Sequence, residues 1–270
     1  MISFEGVSKR YDDGTLALRN ISFDVPRGEF CVLLGHSGAG KSTLLQTVNG
    51  LAKHSSGSVI VDGEELTEKT LLNVRRKVSM IHQEFNLVTR SSVAENVMSG
   101  ALIDVKTPMA LLGWFPEKIR QRCCVLMDKV GLEEKHLRRR ARALSGGQQQ
   151  RVGIARSLML NPKIILADEP IASLDPSASS EILTLLRSIA KESNTTVLCS
   201  LHQVELARKF ADRIIGIETG QVVFDIHAAD LDVDALTRIY KNYETSDSKN
   251  VLERTKVDPL LKSTLQQSKN

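Results

Sequence analysis

Three stretches combine residue types at spacings that could do phosphate chemistry. The first is Gly35-His36-Ser37-Gly38-Ala39-Gly40-Lys41-Ser42, which fits G-x-x-x-x-G-K-[ST]. Glycines let such a loop curl until consecutive backbone N–H groups point into one concavity, and the start of a following helix adds the positive end of its dipole. Lys41 could then reach the β- and γ-phosphates of a nucleotide, and the Ser42 hydroxyl could ligate Mg²⁺. The second stretch, Ile164-Ile165-Leu166-Ala167-Asp168-Glu169, is an apolar run ending in two acids. Carboxylates are costly on a buried strand unless they emerge at its C-terminal edge, which is where open parallel sheets bind ligands. Alternation along a strand points neighbours to opposite sides, which divides their work. Asp168 is assigned to Mg²⁺, directly or through water, and Glu169 to orienting and polarising an attacking water. The third group is His202, after the apolar run Thr195–Leu201, and Gln83, after Val78–Ile81. Single residues of these types are more often structural, but both arrive at the edge that carries Lys41 and Glu169. There His202 can contact a γ-phosphate. The Gln83 amide can join a Mg²⁺ shell without adding charge and withdraw when that phosphate leaves.

The elements that position these groups are legible from periodicity. Strands are expected at Phe30–Leu34, Ser58–Val61, Val78–Ile81, Ile164–Ala167, Thr195–Leu201, Arg213–Ile217 and Gln221–Phe224. Helical patterns lie between several of them, at Lys41–Gly50 and Ala178–Lys191, which implies parallel strands with crossover helices and an α/β class. Glu218-Thr219-Gly220 reads as a hairpin turn and so places an antiparallel pair at the sheet edge. From about Asn86 to Leu160 the pattern is helical, as in Pro116–Val130, where Ile119, Cys123, Leu126, Met127 and Val130 share one face. This stretch reads as a helical subdomain inserted into the core, which resumes at Asn161-Pro162. Beyond Tyr243 the composition turns polar, and residues 244–270 read as a flexible tail.

Composition narrows the class further. The 270 residues, 41% hydrophobic and 25% charged, can bury a sizeable core. A net charge of +4, scattered along the chain, gives no support for nucleic-acid binding. The N-terminus has no secretory pattern, and no apolar run is long enough to span a bilayer. Cys31, Cys123, Cys124 and Cys199 lack metal-ligand spacing and sit among apolar neighbours, as expected of buried, reduced thiols in a cytoplasmic protein.

One further motif suggests a family. Leu144-Ser145-Gly146-Gly147-Gln148-Gln149-Gln150-Arg151, downstream of the glycine-rich loop and upstream of the acidic run, resembles the signature motif of ABC ATPases. The resemblance extends from Met1 to about Tyr243. It implies a P-loop ABC-ATPase fold with a mixed sheet core, N-terminal antiparallel strands and an inserted helical subdomain, with residues 1–243 forming one nucleotide-binding domain. Physically, Ser145, Gly146 and Gly147 at a helix start expose amides and a hydroxyl to an anion. In the family this nest faces ATP held by a second subunit, so the resemblance implies a head-to-tail dimer with two ATP molecules between P-loop and signature. It also implies that Tyr11 stacks on adenine, that residues from Ser37 through Thr43 supply most phosphate contacts, that Gln83 is the Q-loop, that Asp175 lies in the D-loop and that His202 is the switch histidine.

A narrower similarity, to the ATPases of bacterial phosphonate importers, rests on Glu84-Phe85-Asn86-Leu87-Val88, Gly113-Trp114-Phe115-Pro116, Ala167 through Pro176, and Leu201-His202-Gln203-Val204. Ile171 stands where that group carries valine. The similarity implies two transmembrane permease subunits, a periplasmic or extracellular solute-binding protein, and a peripheral location on the cytoplasmic face of the bacterial plasma membrane. Rival readings are an ABC ATPase for amino-acid import or lipoprotein export, and a non-transport ABC clamp. The last usually needs two cassettes or a long coiled coil, and neither pattern is present.

Overall fold

The computed structural model describes residues 1–240. In chain order, β1 (Ile2–Arg10), β2 (Leu16–Val25) and β3 (Phe30–Leu34) precede α1 (Lys41–Val48). Then come β4 (Ser56–Val61), β5 (Glu64–Glu65), α2 (Leu71–Lys77) and β6 (Val78–Ile81). Helices α3 (Val93–Met98), α4 (Thr107–Leu111), α5 (Glu117–Lys129) and α6 (Gly146–Ser157) follow without an intervening strand. The chain closes with β7 (Ile164–Asp168), α7 (Pro176–Ser193), β8 (Thr196–Leu201), α8 (Val204–Phe210), β9 (Arg213–Glu218), β10 (Gln221–His227) and α9 (Val233–Tyr240). The polar segment expected at 244–270 lies outside the described residues.

Two sheets result. One has the order β10-β9-β3-β8-β7-β6, and its neighbours are parallel except for β10. The other, β2-β1-β4-β5, is antiparallel. Every residue of β3 and β7 is buried, because parallel strands covered on both faces have no solvent side. Alternation sorts their side chains. Cys31 and Leu33 join Leu44, Leu45 and Val48 of α1 and the inner faces of β1, β2 and β4, whereas Phe30, Val32 and Leu34 join the helices on the other side. Helix α1 is thus packed between the sheets, which fixes the direction of its N-terminus. The β9–β10 turn has φ of 47° at Thr219 and 78° at Gly220, the two positive values that a tight hairpin turn of matching twist requires.

Helix α5 buries Cys123, Leu126 and Met127, with Val130 at its end, so the apolar stripe read from the sequence is its inner face. Cys124 departs from expectation. It is exposed, because one helical step turns it about 100° away from Cys123. Cys31, Cys123 and Cys199 are buried free thiols.

Candidate active site

The chain must cross from the end of β3 at Leu34 to the start of α1 at Lys41, and Gly35–Gly40 make that crossing as a curled loop. Gly38 and Gly40 have φ of 79° and 106°. A Cβ on Gly40 would stand 2.6 Å from the Ala17 carbonyl oxygen, so both the backbone conformation and the space demand glycine there. Gly35 and Ala39 are buried supports, and the Ala39 N–H donates to the His36 carbonyl at 3.2 Å. The His36 ring turns back on its own loop, with Nδ1 2.6 Å from the Ser37 carbonyl oxygen. Ser37, Gly38, Gly40, Lys41, Ser42 and Thr43 line a cavity of about 410 Å³, with Gln83 and Glu169 on its wall. Tyr11 stands at the rim, half exposed, its hydroxyl 3.3 Å from Thr43 Oγ1 and its ring 4.8 Å from Lys9 Nζ.

Lys41 is only 3% exposed. Its ammonium donates to the carbonyls of Gly35 at 2.9 Å and His36 at 3.0 Å and lies 3.9 Å from Glu169 Oε1. Burial pulls its pKa down from 10.5 to about 8, against the opposing pull of Glu169 and Asp168.

The two acids have separate environments. Asp168 Oδ1 accepts from Ser42 Oγ at 2.9 Å and from Ser200 Oγ at 2.8 Å. Glu169 has already left β7, with φ of 44°. Strand alternation therefore does not aim its side chain, as the sequence alone implied. The left-handed turn does, and it brings Oε1 into hydrogen-bond contact with His202 Nε2. His202 Nδ1 is 3.0 Å from the Gly35 carbonyl oxygen. The His202 bond, with Lys41 assisting, holds the Glu169 carboxyl below the usual carboxylate range although burial raises it. Gly35 thereby ties the glycine-rich loop to the end of β7 through both Lys41 and His202.

The donor set fits a hard divalent cation. Ser42, Asp168 and Gln83 offer hydroxyl, carboxylate and amide oxygens, the ligand types Mg²⁺ takes when phosphates and water complete its shell. Among the described residues no group of three or more His, Cys, Asp or Glu could hold a metal ion.

Other expected residues stand apart. Ser145, Gly146, Gly147 and Gln148 do not line this cavity. Ser145 and Gln148 instead form a reciprocal cap at the start of α6, with the Gln148 N–H donating to Ser145 Oγ at 3.3 Å and the Ser145 N–H donating to Gln148 Oε1 at 3.1 Å. Asp175 caps α7, accepting from the Ala178 N–H at 3.0 Å. These two helix starts adjoin: a Cβ on Gly146 would lie 3.4 Å from Leu174, and one on Gly147 would lie 3.7 Å from Ala178.

The cavity also has walls that motif reading missed. Thr15, Leu16, Ala17 and Arg19 come from the smaller sheet and its entry, and Thr219 and Gly220 from the β9–β10 turn. The Gly220 N–H donates to the Ala39 carbonyl and the Arg19 N–H to the Gly220 carbonyl, at 2.9 and 2.8 Å, which clamps turn, loop and strand together. The turn was legible in Thr219-Gly220. Its contact with the loop had no local signal.

Comparisons with known proteins agree with this geometry. The family pattern described as ABC transporter matches residues 18–172. The phosphonates import ATP-binding protein PhnC of Hydrogenovibrio crunogenus is 52% identical over 92% of this chain and 91% of its own length. The phosphonates import ATP-binding protein PhnC 2 of Cupriavidus metallidurans is 46% identical over 97% of this chain and 96% of its own. Among solved structures, the dimeric ATP-binding cassette MJ0796, in a post-hydrolysis state bound to ADP and Pi, superposes with a TM-score of 0.75 at 34% identity, covering 84% of this chain and 99% of that one. CbiO1 of Clostridium perfringens, part of the ABC transporter complex cbiONQ, does so with a TM-score of 0.77 at 28% identity, covering 95% and 98%. Glycine-rich loop, helical segment and acidic strand end follow one another along the chain, and with these likenesses the chain belongs to the ABC transporter family.

Proposed function

We propose that this chain is the ATP-hydrolysing subunit of an importer for phosphonates and related oxyanions. The names of its relatives support the cargo. The observation that carries the hydrolytic reading is the connected chain of polar contacts from Ser42 through Asp168 and Ser200 to Glu169 and His202. In this reading residues 1–243 are the nucleotide-binding domain, 86–160 its helical insert, and 244–270 an appendage. Tyr11 stacks on adenine, and the loop amides from Ser37 to Thr43 receive the phosphates. On nucleotide binding Lys41 exchanges the Gly35 and His36 carbonyls for phosphate oxygens. Ser42, Asp168 and Gln83 are the residues that would hold Mg²⁺, which would supply neutralisation of the charge developing on the phosphates. Glu169 orients the attacking water and takes its proton as the oxygen bonds to the γ-phosphorus and the bond to the β-phosphate oxygen breaks. His202 steadies the Glu169 carboxylate and the γ-phosphate.

The helix start at Ser145 serves a second copy. Its exposed position away from the cradle supports a head-to-tail homodimer, as does the dimeric state of the solved cassette. No helix among the described residues is long and apolar enough to cross a membrane. In this reading passage belongs to two transmembrane permease subunits, with a solute-binding protein outside and this chain on the cytoplasmic face, as the import function in its relatives' names supports. The test is Glu169→Gln. Binding of MgATP should persist, turnover should fall at least about a hundredfold, and the chain should elute as a dimer in MgATP. Undiminished steady-state hydrolysis removes Glu169 from the role of base. Stimulation of the membrane complex by an alkylphosphonate tests the cargo, and stimulation only by an unrelated solute overturns it.

A further inference from the structure

A hydroxyl outside every motif joins the two acids. Ser200 lies on β8 two residues before His202 and is fully buried. The parallel register sets it directly beside Asp168. Its Oγ is 2.8 Å from Asp168 Oδ1 and 2.9 Å from the Glu169 backbone nitrogen. An amide nitrogen only donates and a carboxylate only accepts, so the hydroxyl proton has one place to go. Ser200 donates to Asp168 and accepts from Glu169. One partner is the main-chain N–H of Glu169 and the other the side chain of Asp168, the last residue of β7.

The two bonds meet at the point where the chain departs from strand geometry. Glu169 has φ of 44°, a conformation that side-chain-bearing residues hold only when their surroundings enforce it. The N–H that begins this turn is the one that Ser200 receives. The turn in turn aims the carboxylate at His202 and Lys41. On the other side, Asp168 Oδ1 has two donors, Ser42 and Ser200. Ser42 is the one assigned to the metal, and when it turns to that task Ser200 is the donor that still holds Asp168.

We propose that Ser200 is a positioning residue for hydrolysis, orienting the metal-site carboxylate of Asp168 and the water-activating carboxylate of Glu169 through a single hydroxyl. The inference rests on the reading of Asp168 and Glu169 given above. It predicts a specific pattern, because the cradle that grips the phosphates does not contain Ser200. Removing the hydroxyl should leave the grip intact while loosening both acids at once.

Ser200→Ala, Ser200→Thr and Ser200→Cys in the full chain test this, with Glu169→Gln as a control. Thermal unfolding first establishes that each variant is folded at the assay temperature. Three quantities are then read: ATP affinity in EDTA, kcat at saturating MgATP, and the Mg²⁺ concentration for half-maximal turnover. Ser200→Ala should keep metal-free ATP affinity within about threefold, lower kcat about 10- to 100-fold and raise the Mg²⁺ requirement, the range usual for losing a group that orients a metal ligand. Ser200→Thr, which keeps the hydroxyl, should recover most of kcat. Cysteine, similar in size but a weak donor, should behave like alanine and stands in for it if the alanine variant unfolds. The proposal is overturned if the folded alanine or cysteine variant keeps both kcat and Mg²⁺ dependence. It is equally overturned if kcat falls only in proportion to metal-free ATP affinity, the result for a generally disturbed core. Full turnover in Glu169→Gln would instead sink the assignment of the base, whatever Ser200 does.

Discussion

Lys41 offers a sharp quantitative test, because its charge is costly before nucleotide arrives. The ammonium is almost completely buried, its hydrogen bonds go only to the neutral carbonyls of Gly35 and His36, and its pKa falls from 10.5 to about 8. Phosphates placed in the cradle favour the charged form and should return the pKa toward its ordinary value. At pH 9 a lysine of pKa about 8 is roughly one-tenth protonated, whereas one restored to about 10.5 is almost fully so. ATP binding should therefore take up about 0.9 proton at pH 9 but only about 0.1 at pH 7. The sign for affinity follows. Binding is strongest below pH 8 and weakens about tenfold per unit as pH rises from 8 toward the bound pKa. The sign for stability is opposite in the nucleotide-free chain. Between pH 8 and 10.5 the unfolded lysine holds a proton that the folded one has released, so the folded state gains about 3 kcal/mol across that window. Isothermal titration calorimetry in buffers of different ionisation enthalpy counts the protons. Lys41→Arg, charged at every working pH, should abolish the uptake. Uptake at pH 9 no larger than at pH 7, or undiminished uptake in Lys41→Arg, would refute the reasoning.

Other perturbations probe the scaffold. Gly40→Ala puts a side chain at φ 106° and a Cβ 2.6 Å from the Ala17 carbonyl, so it should lower stability by about 2 kcal/mol or more and abolish nucleotide binding, read by thermal unfolding and ATP titration. Asp62, nearly buried, accepts a hydrogen bond from Lys163, with Lys77 and Arg27 close by, and these hold its carboxyl below 3.8. Its contribution is complete above pH 3.8 and is lost as pH falls through the folded value, so Asp62→Asn should destabilise the chain at neutral pH and flatten its acid unfolding limb, measured by denaturation across pH. Ser145→Ala removes the cap of α6 and should cost about 1 kcal/mol of stability. Its larger effect should be failure of the Glu169→Gln background to dimerise in MgATP, and retained dimers on a sizing column would count against the facing-site arrangement.

The sequence by itself determined the residue patterns of the candidate site and most elements. The glycine-rich loop, the apolar strand ending in Asp168 and Glu169, and the helix start at Ser145 are local patterns whose meaning depends on spacing within a few residues. Short-range sterics and hydrogen bonding write such patterns directly into the chain, and for the same reason the stripe of α5 and the Thr219-Gly220 turn were legible. Tertiary structure decided what faces what. Ser200 had no signal, because a serine in a buried strand becomes meaningful only when β8 is registered beside β7. The aim of Glu169 came from one left-handed residue, not from strand alternation, and that conformation is enforced by partners distant in sequence. Thr15, Leu16, Ala17, Arg19 and Gly220 became cavity walls because hydrogen bonds between β2, the β9–β10 turn and the glycine-rich loop hold them together across the fold. The phase of α5 separated an exposed Cys124 from a buried Cys123, although the two are chain neighbours with the same side chain. Local preference acts along the chain, whereas register and layer packing act across it, and the second kind of information exists only once the core has closed.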